Sequence, residues 1–95
     1  MDKPINKRLH VVISGRVQGV NFRAYTKRTA VSLGLTGWVK NLASGQVESV
    51  FEGPDQAVGS MLAWCHEGPP LSRVDHVYSR EEPFTGSFPD FRILY

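Results

Sequence analysis

The sequence predicts an α+β fold of ferredoxin-like order: a β-α-β-β-α-β sandwich plus a short C-terminal strand. In this arrangement an antiparallel sheet carries two helices on one face. Three observations predict it. Short apolar runs rich in β-branched residues alternate with two stretches of helical period. Glycine or proline marks each change of period. The chain has 95 residues, 41% of them hydrophobic, which fits one domain over 1–95 with a single core. Residues 1–7 read as a loose N-terminal arm.

In order, "LHVVIS" (9–14) is a strand with no polar alternation, so it is expected to be buried on both faces and central. From Phe22 the period lengthens. Phe22, Tyr25, Thr26, Thr29, Ala30 and Leu33 fall on one helical face, with Arg23, Lys27 and Arg28 off it. Asn21 is a favoured N-cap and Gly34 a stop. "LTGWVKN" (35–41) and "QVESVFE" (46–52) flank the turn "LASG" and form a hairpin. Pro54 opens a second helix with Val58, Met61, Leu62 and Cys65 on its apolar face, and "GPP" (68–70) ends it. "RVDHVYS" (73–79) is a fourth strand. "FRILY" (91–95) is a fifth, expected at an edge, after the loop "REEPFTGSFPD".

This order has a geometric consequence. Strand 1 runs up, helix 1 returns, and strand 2 runs up again, with strand 3 inserted between them. The end of strand 1, the start of helix 1 and the end of strand 2 therefore meet at one edge. "GRVQGVNFR" (15–23) should lie beside Asn41. A helix start exposes unsatisfied N–H groups and the positive end of the helix dipole, and glycines let a loop aim those groups at one point. Arg23, in the first turn, has a planar fork suited to phosphate. Spacing alone leaves two readings open, an anion cradle or an ordinary basic turn. It excludes a Walker loop, which needs Gly-Lys-Ser/Thr, and the dinucleotide fingerprint, whose glycine spacing differs.

"GRVQGVNFR", then "LGLTGWVKN", then "SGQVESVFEG" stand in the order found in the acylphosphatase family, which the chain resembles from about Leu9 to Tyr95. The likeness continues through "GPP" and "RVDHV" to "FRILY". The resemblance implies hydrolysis of an acyl phosphate to a carboxylate and inorganic phosphate. It implies that Arg23 binds the phosphate and that Asn41 positions the attacking water. It also implies that Arg16, Val17, Gln18, Gly19 and Val20 offer backbone N–H groups to the phosphate. The family usually has Asp-Gly in the hairpin turn, where this chain has Ser44-Gly45.

That chemistry needs little else. The leaving group is a carboxylate, which departs without a proton, so no general acid is required. Charge in the loose transition state spreads over the phosphoryl oxygens, where fixed donors stabilise it. No metal or other cofactor is expected. His10, His66 and His76 have no metal-ligand spacing. Cys65 falls on an apolar helix face, and position 71, where a cysteine phosphatase would want arginine, is Leu71. Trp38 and Trp64 read as packing residues, and Glu81-Glu82 as a solvated pair.

The formal charge of +2 is too small to coat nucleic acid, and no stretch reads as a secretory signal or membrane span. With one cysteine, the expected setting is cytoplasmic. The expected form is a free-standing monomer whose partners are a small acyl phosphate and inorganic phosphate. The alternative is a non-catalytic RNA- or ligand-binding module, since fold alone does not decide function.

Overall fold

The computed structural model describes residues 5–95. Its elements are β1 (Asn6–Arg16), α1 (Phe22–Ser32), β2 (Thr36–Asn41), β3 (Val47–Pro54), α2 (Asp55–Glu67), β4 (Arg73–Glu82) and β5 (Phe91–Leu94). The sheet order is β4-β1-β3-β2-β5, which places β3 between β1 and β2 as the hairpin requires. Asn6 and Lys7, expected in a loose arm, are the first rungs of β1, opposite Pro54 and Gly53. Residues 1–4 of that arm lie outside the described residues.

The core is one cluster. Val11, Ile13, Val39, Val47 and Phe51 from the sheet meet Phe22 and Ala30 of α1 and Val58, Met61 and Cys65 of α2. Both helices therefore cover the same face. Burying a side chain of this size contributes about 1.5–3 kcal/mol. β1 is central, but only one of its faces is sealed. Val11 and Ile13 are fully buried, whereas Arg8, His10, Val12 and Ser14 are half-buried on the other face. Polar partners make that open face tolerable: His10 Nε2 lies 2.7 Å from Glu48 Oε2, and Arg8 Nε donates to Glu82 at 2.8 Å. Glu82 is thus part of an ion-pair group and not a solvated charge. β4 runs three residues past its expected end at Ser79 because Arg80–Glu82 stay paired with β1.

The fifth strand makes the sheet mixed. β1 to β4 pair antiparallel, but β5 runs parallel to β2. The segment 83–90 must therefore cross from one edge of the sheet to the other. Four interstrand steps amount to roughly 19 Å, well within the reach of an extended segment of that length. Glu52 on β3 fastens this crossing. Its carboxylate is 1% exposed and accepts from Thr85 N–H and Oγ1, both at 2.9 Å, and from Gly86 N–H at 3.0 Å. Arg8 adds a longer contact at 3.4 Å and places its guanidinium 5.2 Å from the Phe88 ring centroid.

Burial alone would raise the Glu52 pKa, but the donors from Thr85 and Gly86, with Arg8, outweigh it and hold the carboxyl below its ordinary 4.5. A depressed folded-state pKa means the ionised form favours folding. That contribution is present above pH 4.5 and is lost as pH falls through the folded value. Urea unfolding of the parent and of Glu52→Gln from pH 7 downward should show the parent ahead by about 1–3 kcal/mol at neutral pH. The gap should shrink once the pH is below 4.5. A gap independent of pH would contradict this account of Glu52.

Cys65 is fully buried on α2, and desolvation pushes its thiol up to about 12, so it is no nucleophile at neutral pH. Trp64 packs against Phe22 with centroids 5.5 Å apart. Trp38 lies on β2 with Lys40 Nζ 5.3 Å from its ring centroid.

Candidate active site

The strand order brings the loop after β1 onto the end of the β2–β3 hairpin. Gln18 Nε2 donates to the carbonyls of Leu42 at 2.8 Å and Gln46 at 2.9 Å. Between loop and hairpin lies a pocket of about 300 Å³. Val17, Gln18, Gly19, Arg23 and Asn41 line it, with Phe22 and Ala24 beside them.

The loop's shape follows from its residues. Gly15 carries φ +132° at a register shift between β1 and β4, where a Cβ would stand 2.1 Å from the Arg73 carbonyl oxygen. Only glycine fits there. Gly19 has φ +76°, and Asn21, against the usual preference of non-glycine residues, has φ +61°. Asn21 occupies the N-cap position of α1 but makes no side-chain cap bond, so the expected asparagine cap does not form. Among the described residues, no hydrogen-bond partner is found for the backbone N–H groups from Gln18 to Ala24; the first amide to pair is Tyr25, with the Asn21 carbonyl at 3.1 Å. A helix N-terminus with unpaired N–H groups, approached by a loop in alternating conformations, favours an anion.

Arg23 projects from the first turn of α1. Its Nη1 makes one long contact, 3.4 Å to the Leu94 carbonyl, and its Cζ lies 4.9 Å from the Tyr95 ring centroid. No carboxylate among the described residues forms an ion pair with it. Most of its donors remain open to a ligand. Asn41 ends β2 opposite Val47. Its Oδ1 is buried with no hydrogen-bond partner, the only such side-chain atom among the described residues. Leaving a buried acceptor unpaired costs about 1–3 kcal/mol, which marks the spot as one waiting for a donor.

Arg16 and Val20 do not line the pocket. Arg16 is exposed at the end of β1, opposite Arg73, and the Val20 side chain is 8% exposed in the core. Ile93 and Tyr95, which do line it, were missed in the sequence. The signal was present in the alternation of "FRILY", but it becomes useful only once β5 is known to lie beside β2, where Val39 pairs with Ile93. Gln46 was missed too. Its Nε2 donates to Ser14 Oγ at 2.7 Å and its Oε1 accepts from Ser44 Oγ at 2.8 Å. Ser44 is thus tied into the turn. Among the described residues, no group of three or more His, Cys, Asp or Glu is placed to hold a metal ion, and no helix is long and apolar enough to cross a membrane.

Fold and site together define a small ferredoxin-like α+β protein with a pocket at the ends of β1 and β2, bounded by unpaired helix N-terminal amides, Arg23 and Asn41. The family model of acylphosphatase matches residues 9–93. An acylphosphatase of Syntrophobacter fumaroxidans is 54% identical over 95 residues, covering 100% of this chain and 95% of its own. The solved acylphosphatase of Coxiella burnetii superposes with a TM-score of 0.90 at 38% identity, over 99% of this chain and 100% of that one. That of Bacillus subtilis gives 0.90 at 35% identity, over 94% of this chain and 99% of that one. The chain belongs to the acylphosphatase family and is a hydrolase of acyl phosphates.

Proposed function

We propose that the reaction proceeds by direct attack of a water molecule on phosphorus, with no covalent enzyme intermediate. The phosphoryl oxygens sit on the backbone N–H groups of the loop that includes Arg16 to Val20 and on the fork of Arg23. Asn41 holds the water in line with the scissile bond. The water oxygen bonds to phosphorus, the P–O bond to the acyl group breaks, and its electron pair leaves with the carboxylate. The proton of the water passes to a phosphoryl oxygen. The observation that carries this reading is the buried, unpartnered Asn41 Oδ1 in the same pocket as Arg23. It can accept a hydrogen bond from a water and so fix the direction of that water's lone pair.

The substrate on this reading is a small soluble acyl phosphate, and the working form is a cytoplasmic, cofactor-independent monomer. An RNA-reading role finds less support. Such a platform needs aromatic residues on the open face of the central strands. Here that face carries Arg8, His10, Val12 and Ser14 on β1, with Glu48, Val50 and Glu52 in register on β3. The test is phosphate release from benzoyl phosphate with a chelator present. Turnover unchanged by the chelator is expected. Salt-dependent RNA binding without phosphate release would overturn the reading.

A further inference from the structure

Two glutamine side chains stitch the phosphate loop to the segment that follows Asn41. Gln18 commits both amide protons to that segment, one to the Leu42 carbonyl and one to the Gln46 carbonyl. Leu42 is the residue after Asn41, and its own N–H closes the hairpin on the same Gln46 carbonyl at 2.8 Å. From the hairpin side, Gln46 Nε2 reaches back to Ser14 Oγ at 2.7 Å. Ser14 is the last residue before the register shift at Gly15, two residues short of the end of β1 where the loop begins. The loop is therefore fastened at its root by Gln46 and at its middle by Gln18.

Neither segment fixes this relation by itself. The turn closes through Leu42 and Gly45 N–H bonds of its own, at 2.8 and 3.1 Å. Among the described residues, Gln18 to Val20 have no backbone bond that would hold the loop against the hairpin. In-line attack requires the cradle, which sets the phosphorus, and Asn41, which sets the water, to agree in position. An error near 1 Å can cost on the order of 10² in rate.

Resting on the reading of Arg23 and Asn41 above, we infer that the Gln18 and Gln46 side chains are positioning residues. Through the bonds Gln18 Nε2 to Leu42 and Gln46 carbonyls, and Gln46 Nε2 to Ser14, they set the separation between the phosphate cradle and Asn41. They touch neither water nor phosphate through these groups. Their loss should therefore misalign the water without weakening the grip on phosphate.

The experiment uses Gln18→Met and Gln46→Met, which keep length and remove the amide, each made in the parent and in Asn41→Ala. In the parent background each should lower kcat for benzoyl phosphate about ten-fold, with the Kd of inorganic phosphate within about two-fold. In the Asn41→Ala background the same substitutions should cost almost nothing, because no aligned water remains to be displaced. A merely structural role would lower kcat equally in both backgrounds, and that result overturns the inference. So does an unchanged kcat in the parent, or a loss confined to phosphate affinity. Gln46→Met keeps the test open if Gln18→Met does not fold, since it leaves the Gln18 bonds in place. Asn41→Ala alone reports on the underlying reading: full turnover there refutes the role of Asn41, whereas a persistent glutamine effect in a slow Asn41→Ala enzyme refutes only the stitch.

Discussion

Arg23→Gln is expected to lower kcat/KM for benzoyl phosphate by roughly 10²–10⁴ and to weaken inorganic phosphate in step. Hydrogen bonds to a charged group contribute about 1.5–3 kcal/mol each, the fork supplies two, and each 1.4 kcal/mol is a decade. The structure supports assigning so large a loss to ligand binding and not to folding. The guanidinium has no carboxylate partner among the described residues, and its one hydrogen bond, to the Leu94 carbonyl, is long at 3.4 Å. Its stacking on Tyr95 joins a half-buried side chain to a fully exposed ring just past β5. Thermal unfolding of Arg23→Gln should therefore lie close to that of the parent. Arg23→Lys should fall between the two, keeping the charge but losing the planar fork. A variant with unaltered phosphate affinity would remove Arg23 from the cradle.

Asn41→Ala is expected to behave differently in each observable. Its kcat should drop by about 10²–10³, the loss typical of one oriented polar group. Inorganic phosphate should bind nearly as before, because the proposed mechanism assigns the phosphate to the loop and Arg23. Stability should hold or rise: the atom removed is a buried acceptor that has no partner, so its deletion relieves a desolvation cost without breaking a bond. A slower enzyme that is no less stable is the signature of a group retained for chemistry. If Asn41→Ala instead unfolds more easily while keeping its turnover, Asn41 serves the hairpin and not the water. Measuring kcat, phosphate Kd and the unfolding midpoint on one preparation separates the two cases.

The convergence of the loop with Asn41 was legible in the sequence because it follows from strand order alone. Once a hairpin inserts β3 between β1 and β2, the ends of β1 and β2 must share an edge. Arg23 was legible because a first-turn position on a helix of clear period faces a predictable way. The left-handed Asn21 was not. Asparagine favours N-caps and also tolerates positive φ, and only the path of the loop decides between them. The extension of β4 through Arg80–Glu82 was hidden because a run of charges reads as loop unless its partners are known. Here those partners lie on β1, seventy or more positions away in sequence. The same holds for the Glu52 fastening and for β5. Parallel pairing with β2 follows from the route of 83–90 across the sheet, and a carboxylate 34 residues upstream holds that route at Gly86. Side chains that bridge segments, Gln18 and Gln46 among them, carry no local pattern at all.

Isotope transfer from solvent tests the central claim most directly. When benzoyl phosphate is hydrolysed by the protein in water enriched in ¹⁸O, attack on phosphorus places one solvent oxygen in each inorganic phosphate and none in the benzoate. Solvent ¹⁸O in the benzoate would mean attack at the acyl carbon and would contradict a site built around a phosphate cradle and an Asn41-held water.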